Sequence, residues 1–274
     1  MRLDLCLPNN GPFAAEAIRA APVVEAMGYD GIWLIDHVLG LPEAKIYDEN
    51  WLELLTSLAF IAASTTTVRL GTGVLVLPYR DPALAAKMIT TIDVLSDGRL
   101  DLGVGTGWSE REFRALGRGD VFAERGLASD RALETFLKCW QGGEVNHSDG
   151  HSCIEGVIFA PVPVQRPRPP IWIGALATAR APLARAAKYA DVWHPAAITP
   201  EDLKAAGERL DAAAGRLIPR SIRLVVRSAN EAIDILPRYR DAGCFQATVE
   251  FAGMRSVGEL LVAAEQVLAS RPTQ

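Results

Sequence analysis

At 274 residues and 49% hydrophobic content, the chain can bury a large core, which excludes a small binding module and fits one α/β domain over 1–274. A formal net charge of -5 with no run of lysine or arginine argues against a nucleic-acid track or an anionic membrane surface, so the expected partner is a small molecule. The chain starts on a strand-like run with no signal-peptide pattern, and no apolar run approaches the roughly 20 residues of a membrane span, so a cytoplasmic location is expected. Cys6, Cys139, Cys153 and Cys244 lack paired spacing and read as small buried apolar residues, not as a zinc cage or disulfide framework.

In chain order, Leu3–Leu7 reads as a strand, Ala14–Met27 as a helix, Gly31–Ile35 as a strand and Leu52–Ser64 as a helix. Leu70–Val76, Pro82–Leu95 and Leu100–Val104 then give a strand, a helix and a strand, followed by a charged helical stretch over Ser109–Glu124 and a helix over Ala123–Trp140. The next segment, Gly142–Pro170, departs from the alternation: GGEVNHSDGHSCIEG has the pattern of a hairpin, and PVPVQRPRPP is too proline-rich for a helix or central strand. It reads as an insertion between the fourth and fifth strands, over the mouth or flank of the fold. Strands follow at Pro170–Ile173, Asp191–His194, Ile222–Arg227 and Gln246–Phe251, with helices at Ala179–Tyr189, Pro200–Ala214, Ala232–Ala242 and Val257–Ala269. Eight strand-helix pairs in a chain near the ~250 residues typical of the fold imply a closed (β/α)8 TIM barrel, whose function collects at the carboxyl ends of its strands.

Those ends carry the informative residues. Strands three and four both run into glycines, at Gly73 and at Gly105 and Gly107, where backbone is able to approach a flat or phosphorylated ligand. Asp101, Gly103, Gly105 and Gly107 spell a pattern seen in methyltransferases and, in part, in dinucleotide-binding folds. Such folds need an acid ending a further strand about 20 residues on, where this chain has a charged helical stretch. Asp36 and His37 end the second strand, and histidine exchanges protons near neutral pH, which makes the pair the leading acid-base candidate. His194 ends the sixth strand and is a candidate for the pocket wall. Arg111, one turn beyond the fourth-strand glycines, is placed either to pair with a phosphate or to form a surface salt bridge. Trp33, Trp140 and Trp172 lie in apolar runs and read as core, Trp51 is open to either role, and His147 with His151 reads as a solvated loop, not a metal site.

Together the segments GYDGIWLIDH, VRLGTGVLVLPYRDPALAAK, SDGRLDLGVGTGW with Glu112, PVQRPRPPIWIG and ADVWHP resemble, in order, the bacterial-luciferase-like superfamily, and among its branches the oxidoreductases that use the deazaflavin coenzyme F420. The resemblance covers about Leu3 to Pro195 and is thin beyond. It implies a cofactor ring in the barrel mouth, against a bulge with a non-proline cis peptide at the position of Gly73–Val74. It places Asp36 and His37 beside the reactive ring and Val76, Thr106 and Gly107 in contact with it. Gly174, Ala175, Leu176, Ala177 and Thr178 match a phosphate-binding turn. The sequence also departs from its relatives. Trp108 stands where sugar-phosphate dehydrogenases of the family carry an acid, Ala175 replaces a glycine, Leu41 replaces a tryptophan, and no long insertion follows the seventh strand.

The resulting expectation is an F420-dependent oxidoreductase that moves a hydride between the deazaflavin ring and a small, largely apolar substrate, with the flat ring of Trp108 contacting that substrate. The alternatives are an FMN-dependent monooxygenase of the same superfamily and a non-catalytic flavin or deazaflavin carrier. A homodimer is the expected assembly.

Overall fold

The computed structural model describes residues 1–40, 50–149, 153–175 and 180–271. The amino-terminal half contains β1 (Arg2–Cys6), α1 (Ala14–Arg19), α2 (Ala21–Met27), β2 (Gly31–Leu34), α3 (Leu54–Ser64), β3 (Arg69–Thr72), β4 (Leu75–Val76), α4 (Pro82–Leu95), β5 (Leu100–Gly105), α5 (Glu110–Ala115) and α6 (Arg125–Cys139). The remainder contains β6 (Gly143–Ser148), β7 (Cys153–Phe159), β8 (Ile171–Ala175), α7 (Arg180–Tyr189), β9 (Val192–Pro195), α8 (Pro200–Ala214), β10 (Arg220–Val226), α9 (Ala229–Asp241), β11 (Cys244–Phe251) and α10 (Val257–Ala269). All pairings around the main sheet are parallel, in the order β3-β2-β1-β11-β10-β9-β8-β5, and β3 pairs with β5 through Leu70–Leu100 and Gly71–Asp101 to close the ring. The fold is therefore the closed eight-stranded (β/α)8 barrel that the alternation implied.

Local chemistry sets the helix starts. Glu53, Asp81, Ser109, Thr199, Ser228 and Ser256 each accept a hydrogen bond from a backbone N–H of the first turn that would otherwise lack a partner. The helix expected over Ala14–Met27 is divided at Ala20 into α1 and α2, because Pro22 has no N–H to continue the ladder and sits instead in the first turn of α2. The third strand, expected to be continuous, is broken between β3 and β4 by a cis Gly73–Val74 peptide.

Outward-facing apolar residues of the strands, among them Leu5, Leu34, Leu70, Leu102 and Val249, are buried under the helices. Inside the barrel the lower layer is ionic: Asp101 accepts from Arg2 and Arg69, and Asp4 accepts from Arg2, from Trp33 Nε1 at 2.6 Å and from Gln246. Trp33 fills the middle. A side chain at Gly71 would collide with its ring, and one at Gly103 with the Thr72 carbonyl oxygen. Higher up, Cβ atoms at Gly105 and Gly174 would strike the two methyls of Val74. Gly71 and Gly103 thus make room for Trp33 and the Thr72 carbonyl, and Gly105 and Gly174 for Val74. Trp33, Trp140 and Trp172 are buried as core residues; of the cysteines, Cys6, Cys139 and Cys244 are buried but Cys153 is exposed.

The insertion is the expected hairpin, β6 pairing antiparallel with β7. It lies on the flank and not over the mouth. Lys87 of α4 donates to the Ala160 carbonyl and sits over the Phe159 ring, Asp93 accepts from the Val164 and Gln165 N–H groups, and Gln165 reaches Leu100 at the amino end of β5. His151 lies outside the described residues. Among those described, no group of three or more potential ligands could hold a metal, and no helix is long and apolar enough to cross a membrane.

Candidate active site

A cavity of about 300 Å³ opens at the carboxyl ends of the strands. Ile35, Asp36 and His37 line it after β2, Gly73, Val74, Val76 and Tyr79 around β4, and Gly105, Thr106, Gly107 and Trp108 after β5. Gly174, His194, Ala196 and Arg223 form the far wall, with Pro182, Arg125 and Arg185 at the side.

His37 is 6% exposed and is held by Glu112, which lies in the first turn of α5. His37 Nδ1 lies 2.7 Å from Glu112 Oε2, the same oxygen that accepts the Tyr79 hydroxyl at 2.8 Å. The other oxygen accepts the backbone N–H of Val38 at 2.6 Å and of Leu39 at 3.3 Å. Burial alone would raise the Glu112 carboxyl, but the hydrogen bonds and charge of His37, with Val38 N–H and Tyr79, hold it below the usual glutamate range. An ionised carboxylate only accepts, so Nδ1 carries hydrogen and Nε2 is the nitrogen suited to proton exchange with a ligand. The imidazole is flanked by Trp51, 4.9 Å between ring centroids, and by Trp108, edge-on at 5.6 Å.

Asp36 has a different setting from its neighbour. Both of its oxygens take the Arg80 guanidinium, at 2.6 and 2.9 Å, and one also accepts Val76 N–H at 2.8 Å. Burial pushes the Asp36 carboxyl upward, against the pull of Arg80 and of the Val76 N–H. Arg80 continues to Glu53, the cap of α3. This arrangement suits Asp36 to fixing the bulge at Val76, with Oδ2 taking two donors and Oδ1 one, while the residue also lines the cavity.

On the opposite side, four strands from β2 in either direction, His194 of β9 is almost fully buried. Its Nδ1 lies 2.7 Å from Ser221 Oγ, and its ring stacks on Trp33 at 4.8 Å. Burial, then the charges of Arg223 and Arg2, lower its pKa from 6.5 to about 3, so it is neutral at physiological pH.

The remaining expected residues divide cleanly. Gly73, Val74, Val76, Thr106, Gly107, Trp108, Gly174 and His194 all line the cavity, and Gly73–Val74 is the cis peptide. Gly107 has a φ of 74°, and a Cβ there would press on Phe113 and Val76. Ala175 ends β8, while Leu41, Leu176, Ala177 and Thr178 fall outside the described residues. Arg111 is exposed on α5 and is not among the cavity-lining residues, whereas Arg125 and Arg185 are. The sequence reading also missed Tyr79 and the grip of Glu112. Ser109-x-x-Glu112 has the spacing of a capping box, in which glutamate turns back to the cap residue's N–H. Only half of that box forms. Ser109 Oγ accepts Glu112 N–H at 3.2 Å, whereas the Glu112 carboxylate reaches across to His37.

A (β/α)8 barrel with a bulged third strand, a cis peptide in the cavity floor and a carboxylate-held histidine on its wall defines a class of small-molecule enzyme site. The sequence profile of the luciferase-like monooxygenases matches residues 3–242, and the chain belongs to that family. Its structure is similar to that of an F420-dependent secondary alcohol dehydrogenase in complex with an F420-acetone adduct, with a TM-score of 0.84 at 14% identity over 99% of both chains. It is also similar to the oxygenating constituent of 3,6-diketocamphane monooxygenase from Pseudomonas putida in complex with FMN, with a TM-score of 0.76 at 15% identity over 99% of this chain and 97% of the other. The coenzyme F420 dependent tetrahydromethanopterin reductase of Methanopyrus kandleri gives 0.76 at 16% over 98% and 97%. At such identities the likeness speaks to the fold. An uncharacterised protein, y4vJ, of Sinorhizobium fredii is 31% identical over 160 residues, 57% of this chain and 42% of that protein, so the chain spans about two fifths of the length of this curated relative.

Proposed function

We propose that the protein is a deazaflavin-dependent oxidoreductase that transfers a hydride between the F420 ring and a small, largely apolar organic substrate. The observation that carries this reading is the His37–Glu112 pair, set on the wall of a cavity whose floor is the Gly73–Val74 bulge. The residues present fit a planar ring: Val74 supplies an apolar bed, Gly105 and Gly174 beside it carry no side chain, and cationic side chains stand at the edge for an anionic tail. A bound deazaflavin supplies the hydride chemistry. His37 Nε2 takes or gives the proton at the substrate oxygen, while Glu112 keeps the other nitrogen protonated and the ring plane fixed. Trp108, 46% exposed and edge-on to His37, covers the substrate side with an apolar surface and excludes water from it.

The test is a binding titration of the purified protein with oxidised and reduced F420, FMN and NADPH, followed by turnover. Tighter binding of F420 with oxygen-independent turnover is expected. Tighter binding of FMN with oxygen-dependent turnover would move the protein to the monooxygenase branch, and binding without turnover on any substrate would make it a carrier.

A further inference from the structure

We propose that Asn9 is a positioning residue for His37 and acts through Trp51, an inference that rests on the proton-exchange role given to His37 above. Strand β1 ends at Cys6, and the Leu7 N–H makes one further backbone bond to the Trp33 carbonyl of β2 at 3.0 Å. Pro8 has no N–H with which to continue the ladder. The Asn9 side chain takes over. Its Oδ1 accepts Ile35 N–H at 3.3 Å and its Nδ2 donates to Ile35 O at 2.9 Å, so one amide satisfies both backbone groups of the residue that follows β2. The same residue grips a second segment: Nδ2 also donates to Leu52 O at 2.9 Å, and the Asn9 carbonyl accepts Leu52 N–H at 2.8 Å. Asn9 is fully buried.

The two grips stand on either side of the base. Ile35 lies two residues before His37 and lines the cavity, and Leu52 directly follows Trp51, whose ring lies 4.9 Å from the imidazole. Glu112 holds the imidazole at Nδ1, one point about which a ring is able to swing, so the aim of Nε2 depends on what packs against the ring. Trp108 meets it edge-on and is 46% exposed, whereas Trp51 is half-buried against the cluster that contains Trp33 and Ile35. By tying Ile35 and Leu52 to one amide, Asn9 sets the separation between the loop that carries the base and the segment that carries its packing partner. Two carbonyl oxygens and one N–H face the side chain, which calls for two donated hydrogens and one acceptor. Asparagine supplies all three; aspartate, of the same shape, supplies the acceptor without the donors. A misplacement of about 1 Å at a reacting group costs up to roughly 10²-fold in rate, so the spacing that Asn9 sets is of chemical consequence.

The experiment compares wild type with Asn9→Asp, Asn9→Ala and Trp51→Leu by two readouts. The first is the ring-proton resonances of His37 in cofactor-free protein, which sense the ring current of Trp51. The second is steady-state kcat and KM with F420 and a small alcohol or ketone. Both Asn9 variants are expected to move the His37 resonances in the direction that Trp51→Leu moves them, and to lower kcat roughly 10–100-fold with KM and F420 affinity within about threefold. Trp51→Leu, which leaves every Asn9 bond in place, is expected to show the same fall in kcat. Unmoved His37 resonances in a folded Asn9 variant, or a kcat within about twofold of wild type beside a lowered Tm, would make Asn9 a residue of the fold alone and overturn the proposal. Should neither Asn9 variant fold, Trp51→Leu decides: a fallen kcat at steady KM supports the link through Trp51, and an unchanged kcat overturns it. Absence of turnover in wild type defeats the oxidoreductase reading by itself; the resonances then decide separately whether Asn9 places the imidazole, by moving in its variants or staying fixed.

Discussion

Replacing Glu112 with glutamine tests the proton logic of the site most directly. The carboxylate accepts from four donors: His37 Nδ1 and the Tyr79 hydroxyl on Oε2, and the Val38 and Leu39 N–H groups on Oε1. An amide has one accepting end and one donating end. The two backbone donors cannot reverse, so the glutamine oxygen must face them and its NH2 must face His37 and Tyr79. Tyr79 can rotate its hydroxyl and accept. His37 can accommodate an N–H donor only by moving its own hydrogen from Nδ1 to Nε2, the position from which it would have to accept a proton. Glu112→Gln should thus convert the base to the wrong tautomer with little change in shape. The expected loss is roughly 10²–10⁴-fold in kcat, the usual range for removing general acid-base catalysis, with cofactor affinity within a few-fold. Weakening the charge-assisted bonds to Glu112 should also cost about 2–3 kcal/mol of stability. The assay is steady-state kinetics with F420 and a small alcohol or ketone, together with nitrogen chemical shifts of His37 to read the tautomer. An Nδ1–H tautomer in the variant with kcat near that of wild type would refute the reasoning.

The other expectations rest on separate contacts. His37→Ala should lower turnover roughly 10²–10⁴-fold and leave cofactor binding largely intact; a near-wild-type rate would make His37 a loop residue without a chemical role. Trp108→Glu should raise KM for apolar substrates selectively and leave deazaflavin affinity within a few-fold, whereas a fall in Tm with unchanged substrate preference would assign Trp108 to packing. His194 titrates near 3 in the folded state against 6.5 ordinarily, so the unfolded chain binds the extra proton first. Its contribution is complete above pH 6.5 and is lost as pH falls towards 3, by about 2 kcal/mol between pH 6.5 and 5. Urea unfolding at the two pH values should show His194→Gln losing less stability over that interval than wild type; equal slopes would contradict it. Gly174→Ala should cost about 1–3 kcal/mol through collision with Val74 and be partly rescued by Val74→Ala. An additive double mutant would show that the two positions do not press on each other.

The barrel was legible because each of its strands is an apolar run bounded by a helical pattern, and that order survives errors of a few residues at any boundary. What local pattern could not give was direction across the chain. Pro22 is visible in the sequence, yet the apolar periodicity of Ala14–Met27 runs straight through it, and only the backbone accounting at Ala20 divides the helix. The insertion was recognised by its prolines, but its place on the flank is decided by Asp93 and Gln165, polar residues that read as surface until their partners are known.

The site shows the same division more sharply. His37 and the Gly73–Val74 bulge were reached from strand-end position and family resemblance, because both lie within motifs that are continuous in sequence. Glu112 was part of the resembling motif without a role assigned to it, and Arg125 was not singled out; the reason is physical, because each carries a local signal that its tertiary partner overrides. Glu112 has the spacing of a capping box and gives its carboxylate to a residue 75 positions away. Arg125 opens a helix that has no side-chain cap and reads as one charge among several on a solvated face, whereas its bond to Gly107 O turns it into the cavity wall. Arg111, though close in sequence to the glycines, is exposed on α5 and is not among the cavity-lining residues. Glu112 holds His37 Nδ1, and Val74 is seated between Gly105 and Gly174. A substitution at Glu112 should alter the histidine tautomer and one at Gly174 the packing stability, so the two contributions can be taken apart separately.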